Sequence, residues 1–145
     1  MNVESMDRKV ENTEATIEKK INEGLSDMRP VGIGYCTDFI KYNKLRLIYN
    51  TSETTRRPQS NCGEHASIIV GSQKVKDSCQ YMIKNTWGSS YWARKNACYC
   101  EHKTTKKKYN NCFKESHPLS EYNVLGCWFD STDVIANTFD VISVK

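Results

Sequence analysis

The chain has no long apolar run. Nothing in its 145 residues approaches the roughly 20 consecutive apolar residues of a bilayer-crossing helix, so no membrane span is expected. The first thirty residues are charged and lack an apolar centre, so no signal peptide is read there. Internal repeats and low-complexity tracts are missing too, which excludes solenoids and fibrous arrays. Charge of one sign is scarce. With 21 basic and 17 acidic residues the formal charge is +4, too mild to argue for a nucleic-acid partner. The densest basic stretch, His102 to Lys108, has no interleaved aromatic platform and fits no nucleic-acid module, so it reads as a solvated loop.

Cysteine, by contrast, is plentiful. Seven occur, at positions 36, 62, 79, 98, 100, 112 and 127, a density that points to structural disulfides and an oxidising compartment: extracellular, periplasmic or lysosome-like. Seven is odd, so at least one thiol has no partner inside the chain. A fragment separated from the rest of its fold would show this imbalance, and so would a chain with one reduced buried thiol.

The length fits one domain. Residues 1–11 are polar and read as a flexible N-terminal segment. Residues 12–145 form the domain. Asn12 or Thr13 can cap a helix whose Ile17, Ile21 and Leu25 recur every four residues, and Pro30 stops it. Val31 to Tyr35 reads as a strand, Thr51 to Gly63 as a loop. Ala66 to Val70 and Cys79 to Lys84 read as two strands of an antiparallel pair joined by a polar turn. Residues 93–117, rich in cysteine and lysine, read as a surface excursion. Val124 to Phe129 resumes strand character, Asp130 or Ser131 caps a short helix, and Phe139 to Val144 closes the chain as a strand. The expected class is α+β, dominated by an antiparallel, barrel-like sheet with one leading helix.

Two segments carry candidate chemistry. Glu64-His65-Ala66-Ser67-Ile68-Ile69-Val70-Gly71 presents an imidazole at the start of a strand. Lys84-Asn85-Thr86-Trp87-Gly88-Ser89-Ser90 presents a carboxamide, then an indole, at the end of the next. An imidazole can take a proton from a nucleophile, and an amide oxygen can fix its tautomer through the ring's other N–H. A neighbouring indole can keep water from that bond. A strand, a turn and a returning strand fill the separation, so both groups can meet at one sheet end.

These segments resemble the histidine and asparagine signatures of papain-like cysteine peptidases. Upstream, Arg29-Pro30-Val31-Gly32-Ile33-Gly34 resembles that family's Pro-Val strand. Downstream, Gly126-Cys127-Trp128-Phe129 resembles its late Gly-aromatic strand. The resemblance spans roughly Thr13 to Val144, the sheet-rich C-terminal half of that fold. It implies His65 as catalytic base, Asn85 as its orienting partner and Trp87 as the shielding indole. Ala66 is implied as the lining of the main specificity pocket and Glu64 as a residue of the cleft rim. It implies a peptide or protein substrate and no cofactor or metal.

The family's nucleophilic Cys and oxyanion-hole Gln have no counterpart. Cys36 follows a strand and lacks the helix N-terminus that lowers a catalytic thiol's pKa. The helical, nucleophile-bearing half is therefore expected to be absent from this chain, as in a truncated precursor or a degenerate module, and no peptidase activity is expected from the chain alone. Two other classes remain open. One is a pseudo-protease or protein-binding module. The other is a zinc-stabilised structural domain built on Cys98, Cys100, His102, Cys112 and His117, although their spacing matches no standard finger.

Overall fold

Thr13 opens the first helix through a reciprocal cap. Its hydroxyl accepts from the Thr16 amide at 3.2 Å, and the Thr16 hydroxyl accepts from the Thr13 amide at 3.0 Å. Two of the helix's first free amides are thereby satisfied, with threonine where glutamate or glutamine is more usual. The helix, α1 (Glu14–Ser26), buries Ile17 and Ile21 completely, which stabilises it by roughly 1.5–3 kcal/mol per side chain. Gly24 is required here. A Cβ on it would lie 2.4 Å from the Val31 side chain, so the missing methyl lets the helix approach the sheet.

The computed structural model describes residues 3–5, 13–37, 48–50, 56–58, 62–84, 97–110 and 119–144. After β1 (Val3–Ser5) and α1 come β2 (Val31–Cys36), β3 (Ile48–Asn50), β4 (Arg56–Pro58), β5 (Glu64–Val75) and β6 (Ser78–Lys84). The chain continues through β7 (Cys98–His102), β8 (Lys108–Tyr109), β9 (Tyr122–Asp130), α2 (Ser131–Asn137) and β10 (Thr138–Val144). Eight strands form one antiparallel sheet in the order β1-β10-β2-β5-β6-β9-β7-β8, and β3 pairs separately with β4. The α+β class is as expected. The sheet is open, however: its outer strands β1 and β8 do not pair with each other, so no barrel is closed.

Both helices contribute to one continuous core, in which Ile17, Ile21, Val134 and Ile135 meet Val31, Ile33, Tyr35, Ile69, Ile83 and Val141 from the sheet. On the opposite face Ile68, Val70 and Ile142 stay substantially exposed. Tyr81 anchors α1 by donating its hydroxyl to the Asn22 side chain at 2.9 Å. Burial is the main cause of its phenol pKa rising to about 12.

The strand pair Ala66–Val70 and Cys79–Lys84 is present and longer than expected. It turns in two residues, Lys76-Asp77, with Lys76 in the left-handed region at φ 55°. Asp130 caps α2 through the Thr132 amide at 2.9 Å. Two expectations differ. Val3–Ser5, inside the segment read as flexible, pairs with β10, because a sheet edge offers hydrogen bonds that need no apolar signal from the added strand. The 93–117 excursion contains β7, an inner strand of the sheet. Its buried residues are Cys98 and Cys100, apolar when oxidised, so a stretch whose composition reads as a surface excursion supplies part of the core.

Two disulfides lie within the described residues, Cys36–Cys62 and Cys98–Cys127, and Cys100 is also disulfide-bonded. They fit an oxidising extracellular compartment. Cys79 is free and exposed, so the unpaired thiol is not a buried one. Among the described residues no helix is long and apolar enough to cross a membrane.

Candidate functional site

The register of β2 against β5 sets the site. Tyr35 lies opposite His65, Gly34 opposite Ala66, and Cys36 opposite Glu64. The strand ends are fastened together. The Cys36–Cys62 disulfide joins them covalently, while Thr37 donates its amide at 2.9 Å and its hydroxyl at 3.1 Å to the Gly63 carbonyl. His65 is thus held three residues from a covalent clamp, with little backbone freedom at the sheet margin.

The imidazole is half-buried and stands edge-on to the Tyr35 ring, with centroids 5.9 Å apart and planes at 76°. Tyr35 is fully buried and its hydroxyl shares a 2.9 Å hydrogen bond with the Ser67 hydroxyl. Burial pushes that phenol up to about 12, against the smaller opposing pull of the Ser67 bond. A ring locked by packing and by its own hydrogen bond gives His65 a rigid wall.

Residues adjacent along a strand point to opposite faces. His65, Ser67 and Tyr35 share the helix-covered side. Glu64, Ala66 and Ile68 share the other side with Gly32 and Gly34 of β2 and with Asp140 and Ile142 of β10. On that open side lies a cavity of about 630 Å³, lined by Glu64, Ala66, Ile68, Gly34, Asp140 and Ile142 among others. Its floor is low because β2 carries glycine at two alternate positions. The Phe139 ring closes over Gly34, where an added Cβ would meet it at 3.1 Å. Phe139 is the extra residue of a bulge in β10, and that bulge re-aims its side chain.

The expected residues are therefore only partly placed. His65, Ala66 and Glu64 all line one cavity, although the β5 backbone divides the imidazole from the Ala66 methyl. Asn85 and Trp87 lie outside the described residues. The last described residue of β6, Lys84, sits opposite Ile68, so β6 runs toward the His65 end of β5.

Among the described residues no free thiol is near the imidazole. Cys36 and Cys62 are oxidised. Cys79 is opposite Lys74, nine residues along β5 from His65 and so about 30 Å away at strand rise. The zinc ligand set loses Cys98 and Cys100 to disulfides, which removes the thiolates a tetrahedral site needs, and Cys112 and His117 lie outside the described residues. Among the described residues no group of three His, Cys, Asp or Glu side chains is placed to hold a metal.

Tyr35, Ser67, Phe139 and Asp140 were not singled out in the sequence. Alternation along Val31–Cys36 places Tyr35 on the core face, and a lone carboxylate in the apolar Phe139–Val144 run was a visible signal for Asp140. The sequence matches no protein-family model and no curated protein.

Proposed function

We propose that this chain is the sheet-bearing, base-supplying part of a papain-like cysteine peptidase. His65 acts as general base for a thiol, Asn85 orients the imidazole, and Trp87 shields their hydrogen bond. Ala66 and Glu64 contact the substrate peptide. One observation carries the reading: His65 is clamped at the cavity edge, and β6 returns antiparallel to that same end of the sheet. A base needs a fixed ring and a neighbour that selects its tautomer, and adjacent antiparallel strands can supply both.

Neither Cys36 nor Cys62 is a thiolate and Cys79 is remote, so His65 has no described thiol to activate. The nucleophile and the oxyanion donor would come from a helical half outside these residues. The chain alone is expected neither to cleave casein nor to be labelled by a thiol-directed epoxide. A second reading, a pseudo-protease that binds peptide without cutting it, rests on the same lack of a nearby thiol.

The test is the imidazole nitrogen-15 spectrum of His65. Changing Asn85→Ala should shift the ring's tautomer balance and move both nitrogen resonances. If the spectrum is the same with and without the carboxamide, the two groups do not touch and the reading is wrong.

A further inference from the structure

The charge of this protein is not spread over its surface. Lys103, Lys106, Lys107 and Lys108 fall within six residues that include no Asp or Glu. Outside that stretch basic and acidic residues are equal in number, so the whole formal charge of +4 resides at one hairpin tip. All four lysines are exposed, and among the described residues none joins an ion pair. A solvated charge run needs no fixed shape, yet this one has it.

The His102 amide donates to the Lys107 carbonyl at 2.8 Å and the Lys106 amide to the His102 carbonyl at 3.0 Å, closing the turn between β7 and β8. The Lys103 amide donates to the Glu121 carbonyl at 2.9 Å, tying the turn to the segment before β9. Inside the turn, His102 Nδ1 accepts from the Thr104 and Thr105 amides at 3.2 and 3.1 Å. Lys106 takes the left-handed conformation at φ 62°. Beneath the turn β7 is braced by the Cys98–Cys127 disulfide, and Cys100 is oxidised as well. Four like charges are thereby held together against their mutual repulsion, an arrangement that is relieved when an anion with several charges binds.

We propose that this hairpin tip binds a sulfated polysaccharide. The oxidised cysteines fit the compartment in which such polymers occur. Ammonium groups act as point charges suited to sulfate oxygens on a flexible chain, whereas planar recognition favours arginine, and the tip has none. Single-stranded nucleic acid needs open aromatic faces for stacking, but Lys107 lies over the Tyr109 ring, 5.4 Å from its centroid. The proposal is independent of the His65 site.

The test is binding of the whole chain to heparin across a salt series, with two variants of equal charge. One carries Lys103→Gln, Lys106→Gln, Lys107→Gln and Lys108→Gln. The other carries Lys19→Gln, Lys20→Gln, Lys74→Gln and Lys76→Gln. At about 0.15 M salt the hairpin variant should bind at least roughly tenfold more weakly, with a salt slope lower by about 3, while the control variant keeps most of the affinity. Circular dichroism establishes that both are folded. Equal losses in the two variants would reduce the effect to net charge and overturn the site. Single-stranded DNA of matched charge binding more tightly than heparin would overturn the sulfated class.

Discussion

His65 and His102 occupy similar ring surroundings at two differently charged margins of the sheet. Each ring stands edge-on to a tyrosine, with centroids 5.9 Å apart for Tyr35 and 5.1 Å for Tyr122. Each belongs to a strand region braced by a disulfide. The cavity beside His65 is lined by the carboxylates of Glu64 and Asp140, whereas His102 sits under a turn whose charged residues are all lysines. His102 Nδ1 is committed to two backbone amides, with Nε2 3.6 Å from Glu121, so its ring holds a loop. Residue type alone does not identify a structural staple; the two amides bonded to the His102 ring do.

The largest expected effect tests whether the two braces are equivalent. The disulfides close segments of 26 and 29 residues. Loop-closure entropy assigns about 3.5 kcal/mol to a loop of either length. Urea unfolding of a Cys36→Ala, Cys62→Ala variant and of a Cys98→Ala, Cys127→Ala variant should therefore show similar losses, about 3–4 kcal/mol each. A loss confined to one pair would mean that the brace on the other is redundant with strand pairing.

Much of this arrangement could be read beforehand, and the failures have physical causes. The α1 stripe, the Pro30 stop, the paired strands flanking the Lys76 turn and the Asp130 cap are local, and local rules found them. Strand β7 was missed because its core face is made of cystine, and pairing partners decide whether a cysteine counts as apolar. The His65 wall was missed because Tyr35 lies thirty positions upstream, and register alone brings them together. The cavity was only half legible. Ala66 and Glu64 came from a resemblance, while Asp140 and Phe139 depend on a bulge that no local pattern signals.

The second prediction concerns the wall behind His65. Burial raises the Tyr35 phenol to about 12, from an ordinary value of 10. The folded state then holds its proton where the unfolded state has released it. The stabilisation is complete below pH 10 and is lost as pH rises through 12, amounting to roughly 3 kcal/mol. Denaturant midpoints across this range should fall, and Tyr35→Phe should flatten the fall. That variant is expected to cost about 1 kcal/mol at neutral pH, because Ser67 is left without the phenol. An unchanged alkaline slope in the variant would move the effect to other tyrosines.

Next in size is the cavity floor. A Cβ at Gly34 would lie 3.1 Å from the Phe139 ring and 3.4 Å from the Asp140 Cβ, whereas at Gly32 the nearest atoms are at 3.4 and 3.5 Å, ordinary contacts. Gly34→Ala should destabilise by about 1–2 kcal/mol as Phe139 shifts, and Gly32→Ala by well under 1 kcal/mol. Thermal unfolding of both variants compares them directly. Equal costs would show that Phe139 swings aside freely and does not shape the cavity.

The smallest global effect belongs to His102→Ala, and it separates the two histidines most sharply. The ring's removal leaves the Thr104 and Thr105 amides without their 3.2 and 3.1 Å acceptor, but both residues are exposed and water can replace it. The Glu121 partner is largely solvated, so that pair adds little. Unfolding free energy should drop by less than about 1 kcal/mol. Hydrogen exchange at Thr104 and Thr105 should nevertheless accelerate, and heparin affinity should fall severalfold with every lysine retained. His102→Asn, whose amide oxygen can accept from the same turn, should recover part of both. His65→Ala should alter neither, since its ring holds no part of that hairpin. Exchange at Thr104 and Thr105 that ignores His102 would leave the lysine cluster without its organiser, and the contrast between the two rings would then be one of position alone.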